Sequence, residues 1–302
     1  MLNIDALMNC FGNSACLVTQ SATGLIIGML LFLVASGVTL IFGVLHVVNF
    51  AHGAFYMIGA YAAYSAYGVT GNYYLSVLAG AVAAAIVGVL FERLAISRVY
   101  KENLLMQLLV CYAFVLICDD AVKIIWGAEY LAMGIPSEFR VPPLRIAGGV
   151  VPPFYLFLAG SALAVAILSV ILIRYSRFGK IVRAAAENAT MVSVLGIRVP
   201  LYFAALFGLG CALAGMAGAL AAPVRSLTPG MGLSILIESF IVTVIGGMGS
   251  IPGALLAAIL LGFTRSFGSV GFPLFVDGAM FLMMVVILVF RPQGLLGERM
   301  VR

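Results

Sequence analysis

The chain has 302 residues, with 16 basic and 11 acidic side chains and a formal net charge of +5. Hydrophobic residues make up 64% of it and charged residues 9%, against roughly 45–50% and about 25% in an ordinary soluble protein. So few charges cannot cover a water-soluble body of this size, and unbroken apolar runs exclude a transmembrane β-barrel, whose strands alternate. Disordered, collagen-like and disulfide-scaffold chains fall to the same composition, and mean hydropathy of +1.20 agrees. The expected fold is an all-α polytopic membrane protein, with residues 1–302 as a single transmembrane domain.

A bilayer core of about 30 Å needs roughly 20 apolar residues per helix. Nine stretches meet that length or approach it, so about nine transmembrane or partly re-entrant helices are expected. Residues 1–23 precede the first. Met1-Leu2-Asn3-Ile4-Asp5 lacks a basic start and no clear cleavage site follows, so the segment is expected to stay attached as an outer cap. Cys10 and Cys16 lie in it. On an oxidising face they are either bridged or two free thiols, and both readings stand.

The first span covers 24–45 and the second 47–67. The second opens on Asn49-Phe50-Ala51-His52-Gly53-Ala54-Phe55. Asn49 is a good N-cap for a half-helix starting inside the membrane, where free N–H groups favour anions. His52 is read as a packing residue before a proton carrier. The third span is 73–91 and the fourth 104–126. Asp119 and Asp120 each stand within one turn of Lys123 in the fourth, so either acid can pair with it near the helix end. Cys111, Cys118 and Cys211 fall inside spans and are expected to pack.

Residues 127–153 are too polar and proline-rich to span. The run Arg140-Val141-Pro142-Pro143-Leu144-Arg145-Ile146 reads as a short strand or hairpin interrupted by proline, either a plain outer loop or a docking surface. The fifth span is 154–173. In the segment 174–200, good helix formers run over 181–195 and Gly196 is a stop signal. Met191, Val194 and Leu195 give that helix one apolar edge. Such an edge lies on a membrane surface or fills a groove in another protein.

The sixth span is 201–222, the seventh 232–248, the eighth 251–267 and the ninth 274–290. The second, seventh and eighth are glycine-rich or broken by proline and are expected to be short, kinked or re-entrant. Glu238 is a lone acid in the seventh, either a group facing substrate or a structural carboxyl. Asp277 is expected at an interface. Gly246-Gly247-Met248-Gly249-Ser250 is read as a close-packing or helix-breaking segment. Aligning Gly53 with Gly253 also matches Ala54 with Ala254 and Val44 with Val244. Interrupted apolar segments at corresponding positions point to a transport site. The candidate pathway residues are therefore Asn49, His52, Gly53, Glu238, Gly246, Gly247 and Gly253.

Nine spans put the termini on opposite sides. With the C-terminus inside, eleven of the 16 basic residues fall on the inner face: Arg93, Arg98, Lys101, Arg174, Arg177, Lys180, Arg183, Arg198, Arg291, Arg299 and Arg302. Lys123, Arg140, Arg145, Arg225 and Arg265 fall outside. The positive-inside rule selects this orientation, N-terminus out and C-terminus in. It also explains the basic groups without nucleic acid.

Recognisable site chemistry is sparse. The chain has two histidines, His46 and His52, and no close Cys/His cluster, so no metal site is expected. None of its three lysines sits in a Gly-Lys-Ser/Thr sequence, which excludes nucleotide binding by a P-loop. No Gly-x-Ser-x-Gly elbow occurs.

Several stretches resemble a known family. Ala35-Ser36-Gly37-Val38-Thr39-Leu40-Ile41-Phe42-Gly43-Val44, then Val48-Asn49-Phe50-Ala51-His52-Gly53-Ala54-Phe55-Tyr56-Met57-Ile58-Gly59-Ala60-Tyr61, resembles the permease subunits of branched-chain amino-acid ABC importers, most of all the smaller H-type. Arg183-Ala184-Ala185-Ala186-Glu187 through Gly196-Ile197, the run Val244 to Ala254, and the tail Phe290-Arg291-Pro292-Gln293-Gly294-Leu295-Leu296-Gly297 fit the same family. The resemblance covers nearly the whole chain. It implies a pore subunit in a bacterial inner membrane with no enzymatic activity and no cofactor of its own.

It also implies that Arg183–Ile197 is a coupling helix on cytoplasmic ATP-binding subunits, with Arg183, Ala185, Ala186, Glu187, Met191, Leu195 and Gly196 as coupling residues. Here the sequence reads Ala185-Ala186-Glu187 where the common importer pattern has Glu-Ala-Ala. A second permease subunit and a periplasmic substrate-binding protein complete the implied assembly. Related permeases serve urea, amides and other amino acids. An ion-coupled transporter using Glu238 or Asp119/Asp120, and a passive channel for a small neutral solute, are the rival readings.

Overall fold

A computed structural model describes residues 4–45, 47, 49–100 and 102–297. His46, Lys101, Glu298, Arg299 and Arg302, used or counted above, lie outside the described residues.

The chain is almost wholly helical: α1 Ile4–Phe11, α2 Ser14–Leu45, α3 His52–Thr70, α4 Tyr73–Phe91, α5 Ser97–Val99, α6 Leu104–Trp126, α7 Pro153–Tyr175, α8 Arg177–Val194, α9 Val199–Ala221, α10 Met231–Gly246, α11 Ile251–Gly271 and α12 Val276–Phe290. A π-helical turn, Glu92–Ile96, joins α4 to α5. Among the described residues six helical stretches are long and apolar enough to cross a membrane: Ser14–Leu45, Tyr73–Val99, Pro153–Tyr175, Val199–Ala221, Ile251–Gly271 and Pro273–Phe290. The protein is therefore an all-α polytopic membrane protein. The helices α3 and α6 fill the second and fourth expected spans, and α10 is a shorter apolar helix.

Local chemistry sets the ends. Asn72 and Asn103 cap α4 and α6, accepting from the N–H of Leu75 at 3.2 Å and of Met106 at 2.9 Å. Gly71, at φ +62°, closes α3 in the left-handed conformation. Three expectations shift. The first span, expected over 24–45, begins earlier, because α2 starts at Ser14 within the segment 1–23. Thr19 and Thr23 return their hydroxyls to carbonyls four residues back, so polar residues ride on the helix without breaking it. The helix α3 starts at His52 with Ala51 as its cap, not at Asn49. The Asn49 side chain instead accepts from the N–H of Ala51 at 3.0 Å, a turn that competes with helix. The amphipathic helix begins at Arg177, earlier than 181, and breaks at Asn188 (φ −150°, ψ 89°), whose side chain caps a new turn through the Met191 N–H at 2.9 Å.

In layout, α2 and α9 are the core and the others surround them. In the most apolar stretch of each helix, 83% of α2 and 72% of α9 is buried, but only 11% of the last span. The outer helices turn their apolar faces outward, as lipid contact requires. Small residues let the core helices touch. A β-carbon on Gly262 would overlap the Gly24 carbonyl, and one on Gly59 would overlap Gly215. Close backbone approach of this kind replaces the hydrophobic drive that lipid does not supply.

The bundle has two ends. At one, Cys10 and Cys16 form a disulfide joining α1 to α2. Phe11 stacks on Phe267 there, with ring centroids 5.5 Å apart. A hairpin of β1 (Leu144–Ile146) and β2 (Gly149–Val151) packs on the start of α2, where the Val150 N–H donates to the Thr19 hydroxyl at 3.2 Å. Its turn, Ala147-Gly148, has positive φ at both residues. At the other end α8 packs under α2 and α9, with Val182 against Leu40, Val44 and Leu206.

Candidate functional site

A cavity of about 580 Å³ opens between α10, α11 and α12, with Tyr56 of α3 and the segment after α9 completing its wall. It sits toward the disulfide end. Ser266 in its wall helix α11 donates to Gln20 in the first turns of α2, at 2.7 Å to the carbonyl and 2.6 Å to the side chain.

Charge is concentrated here. Glu238 of α10 meets Arg265 of α11, Oε1 to Nη1, at 2.5 Å. Its other oxygen lies 3.7 Å from Nη2 of Arg225. Tyr56 stands beside the Arg225 side chain in the same wall. Ser226, Ser234 and Asp277 add polar groups to the wall. The Glu238 side chain is 15% exposed, against 28% and 37% for the two arginines. The acid is sheltered and the guanidiniums reach the opening.

The segment carrying Arg225 is held from outside. Leu227 and Leu131 exchange backbone hydrogen bonds at 2.8 and 3.1 Å, pinning it to the loop after α6. Asp119 lies beside Gly230 ahead of α10, with Oδ2 3.9 Å from where a β-carbon on that glycine would stand. That resolves the charges of α6. Only Asp120 pairs with Lys123, at 2.9 Å and exposed, while Asp119 turns inward to the neighbouring helix start.

Of the seven expected pathway residues, Glu238 alone lines this cavity. It is the single acid of α10, and its charge partners come from elsewhere in the chain. His52 is buried, with Nε2 3.1 Å from the Val34 carbonyl. Asn49 is buried against the chain's own backbone. Gly53 abuts Gly232 so closely that a β-carbon on Gly53 would overlap that carbonyl. Gly246 packs on Gly253 and Ala254, and Gly247 on Gly294 and Gly297 of the tail. The tail is stitched there, Leu295 N–H to the Ile245 carbonyl at 2.8 Å and Leu296 N–H to that of Gly246 at 3.1 Å. The Gly246–Ser250 run is thus the turn between α10 and α11.

The coupling set divides in two. Arg183 donates to the Ile173 carbonyl at 2.6 Å, fastening α8 to the end of α7. Ala185 is buried, and with Val192 and Val199 it forms a small core under the bundle. Ala186 is half-buried. Glu187, Met191, Leu195 and Gly196 face outward, and Met191, Val194 and Leu195 are 67%, 78% and 77% exposed. A second cavity of about 550 Å³ lies beside them, lined by Arg93, Arg198 and Ser193 among others. Among the described residues no group of three His, Cys, Asp or Glu side chains is placed to hold a metal.

Sequence reasoning missed Tyr56, Arg225 and Arg265 as site residues. A signal for one pair was present. Glu238 stands seven residues after the start of α10 and Arg265 six before the end of α11, in helices that run in opposite directions. Two lone charges at equal depth in neighbouring spans call for pairing.

Comparison with known proteins agrees with this architecture. The family described as "Branched-chain amino acid transport system / permease component" matches residues 21–290. The high-affinity branched-chain amino acid transport system permease protein BraD of Pseudomonas aeruginosa is 32% identical, with 92% of this chain and 95% of that protein aligned. The corresponding LivH of Escherichia coli K12 is 30% identical with the same shares. A probable branched-chain amino acid transport permease protein, LivH, of Methanocaldococcus jannaschii is 27% identical, with 89% of each covered. No solved structure matches. Six bilayer-length helices, family residues from 21 to 290, and near-complete alignment with two permease proteins lead to one conclusion: this chain belongs to the family of permease components of branched-chain amino acid transport systems.

Proposed function

We propose that the chain is the translocation subunit of an ATP-driven importer for branched-chain or related amino acids in a bacterial inner membrane. The observation that carries this reading is the division of labour between the two ends of one bundle. A charged, partly apolar cavity opens at the disulfide end. An apolar edge with nothing over it, Met191, Val194 and Leu195, stands at the other. The disulfide suits an outer, oxidising face, which supports the reading with the N-terminus outside, the C-terminus inside and α8 in the cytoplasm. On this reading nine helices cross or partly enter the membrane, with residues 1–23 and 127–153 on the outer face and 174–200 inside.

The mechanism follows from how α8 is fixed. Arg183 ties its first half to α7, and Ala185 and Val192 bury its inner face under α9. Force applied by ATP-binding subunits to the exposed edge therefore passes through Val192 into α9, while the first half of α8, beyond the break at Asn188, moves with α7 through Arg183. The helices then rock between an opening toward the outer cavity and one toward the cytoplasm, without covalent chemistry in this chain. The partners are two ATP-binding subunits, a second permease and a periplasmic substrate-binding protein that docks at the cavity mouth. Glu238 already has two guanidiniums within 4 Å as charge partners, so protein groups occupy the place a coupling ion would take, which favours this reading over an ion-coupled transporter.

The test is reconstitution of the assembled transporter in vesicles. Met191→Asp with Leu195→Asp is expected to abolish ATP-driven amino-acid uptake at least tenfold, while the complex keeps its melting temperature. Arg183→Glu combined with deletion of 189–194 is expected to do the same and to leave ATP hydrolysis running without uptake. Normal uptake by either variant ends the coupling role of α8.

A further inference from the structure

Resting on the importer reading, we propose that the cavity between α10, α11 and α12 binds the zwitterionic head of an aliphatic α-amino acid. Arg225 and Arg265 receive its carboxylate, and Glu238 holds that place when no substrate is there. Three observations converge on this.

The first is charge. Two guanidiniums face one carboxylate within 4 Å, at 2.5 and 3.7 Å, which leaves the trio one positive charge in excess. That excess favours an anionic group at the arginines. The second is asymmetry. Glu238 is in hydrogen-bond contact with Arg265, but 3.7 Å to Arg225 is beyond hydrogen-bond reach. The planar fork of Arg225 keeps donors that its Tyr56 and Glu238 contacts leave over, in the geometry that matches a carboxylate. The third is the rest of the wall. Asp277 and the hydroxyls of Ser226 and Ser234 stand ready for an ammonium group. Met231, Ile235, Ile241, Met280 and Phe281 form an apolar side. The apolar side suits a hydrocarbon side chain and offers no partner to a second charge. The volume of about 580 Å³ falls in the range of roughly 300–1,000 Å³ typical of small-molecule sites.

Glu238 then acts as a stand-in. It prevents two bare guanidiniums from facing each other in a sheltered place, a costly arrangement. It also makes binding an exchange, one carboxylate for another. Release toward the cytoplasm is helped by the same exchange run backward, because Glu238 returns to the arginines as substrate leaves.

Arginine-selective labelling with phenylglyoxal tests this on the assembled transporter in vesicles, read by peptide mass spectrometry at Arg225 and Arg265. L-leucine is expected to slow labelling of both, by about tenfold near nine times its dissociation constant, following the ordinary mass-action factor. L-leucinamide has the same side chain and ammonium but no carboxylate, and is expected to leave the rates unchanged. Glu238→Gln removes the competing acid and is expected to move the leucine titration to lower concentration, by about tenfold. Equal protection by leucine and leucinamide, no protection by either, or a shift to higher leucine in Glu238→Gln overturns the proposal. If the variant does not assemble, the contrast between leucine and leucinamide in the unaltered protein decides alone. ATP-driven leucine uptake by the same vesicles separates the two readings. Uptake without protection removes this site and leaves the importer. Protection without ATP-driven uptake removes the importer and leaves the site.

Discussion

Two groups of charges sit in or beside the helices of this protein, and they behave differently. Asp120 and Lys123 form an ion pair at 2.9 Å within one helix, with side chains 71% and 49% exposed. Glu238 joins Arg225 and Arg265 across three separate parts of the chain, with its own side chain 15% exposed. The first is local, solvated and screened, so it adds little. The second gathers charge where water is scarce, so each member depends on the others. Sequence distance alone separates the two kinds: a turn of helix in one case, 13 and 27 residues in the other.

Removing one member of the sheltered trio has the largest expected effect. Glu238→Ala leaves two guanidiniums uncompensated and is expected to cost toward the low end of about 3–5 kcal/mol, because both arginines keep some solvent. Denaturant unfolding in detergent measures it. The double change Glu238→Leu with Arg265→Met is expected to recover most of the loss, since apolar replacements of a sheltered pair are often neutral. A double variant no better than Glu238→Ala would break the contrast drawn here. Asp119 lies between the two groups. Asp119→Ala removes the carboxylate beside Gly230 at the start of α10 and is expected to cost about 1 kcal/mol, as loss of a helix-start partner does, while Asp119→Asn costs less. At the small end, Lys123→Ala is expected to leave the melting temperature unchanged. A fall comparable to that of Asp119→Ala would show that the surface pair carries structural weight.

Much of the architecture was legible beforehand, because lipid imposes it on composition. The limits expected for the third and fourth spans, 73–91 and 104–126, coincide with α4 and α6. Apolar length marks both, and that signal needs no tertiary information. The departures have physical reasons. Thr19 and Thr23 look like loop residues, but each satisfies its hydroxyl on the helix's own backbone. Asn49 looks like a cap, but its side chain closes a turn two residues too early. Asn188 looks like an ordinary helix residue, and its side chain divides α8. At the cavity, Glu238 was visible as an acid out of place. Arg225 was not visible as its partner, because a loop residue has no depth until the Leu131–Leu227 bridge fixes where the loop lies.

One element deserves a last measurement against the bilayer. At 16 residues, α10 is about 24 Å long at 1.5 Å per residue, short of a hydrocarbon slab of about 30 Å. Its second tip is stitched down by Leu295 and Leu296, and the Leu131–Leu227 bridge holds the segment ahead of its first. The outer cavity opens against this short helix, so part of the slab's thickness on that side is open volume and the apolar path left for a solute is correspondingly shorter.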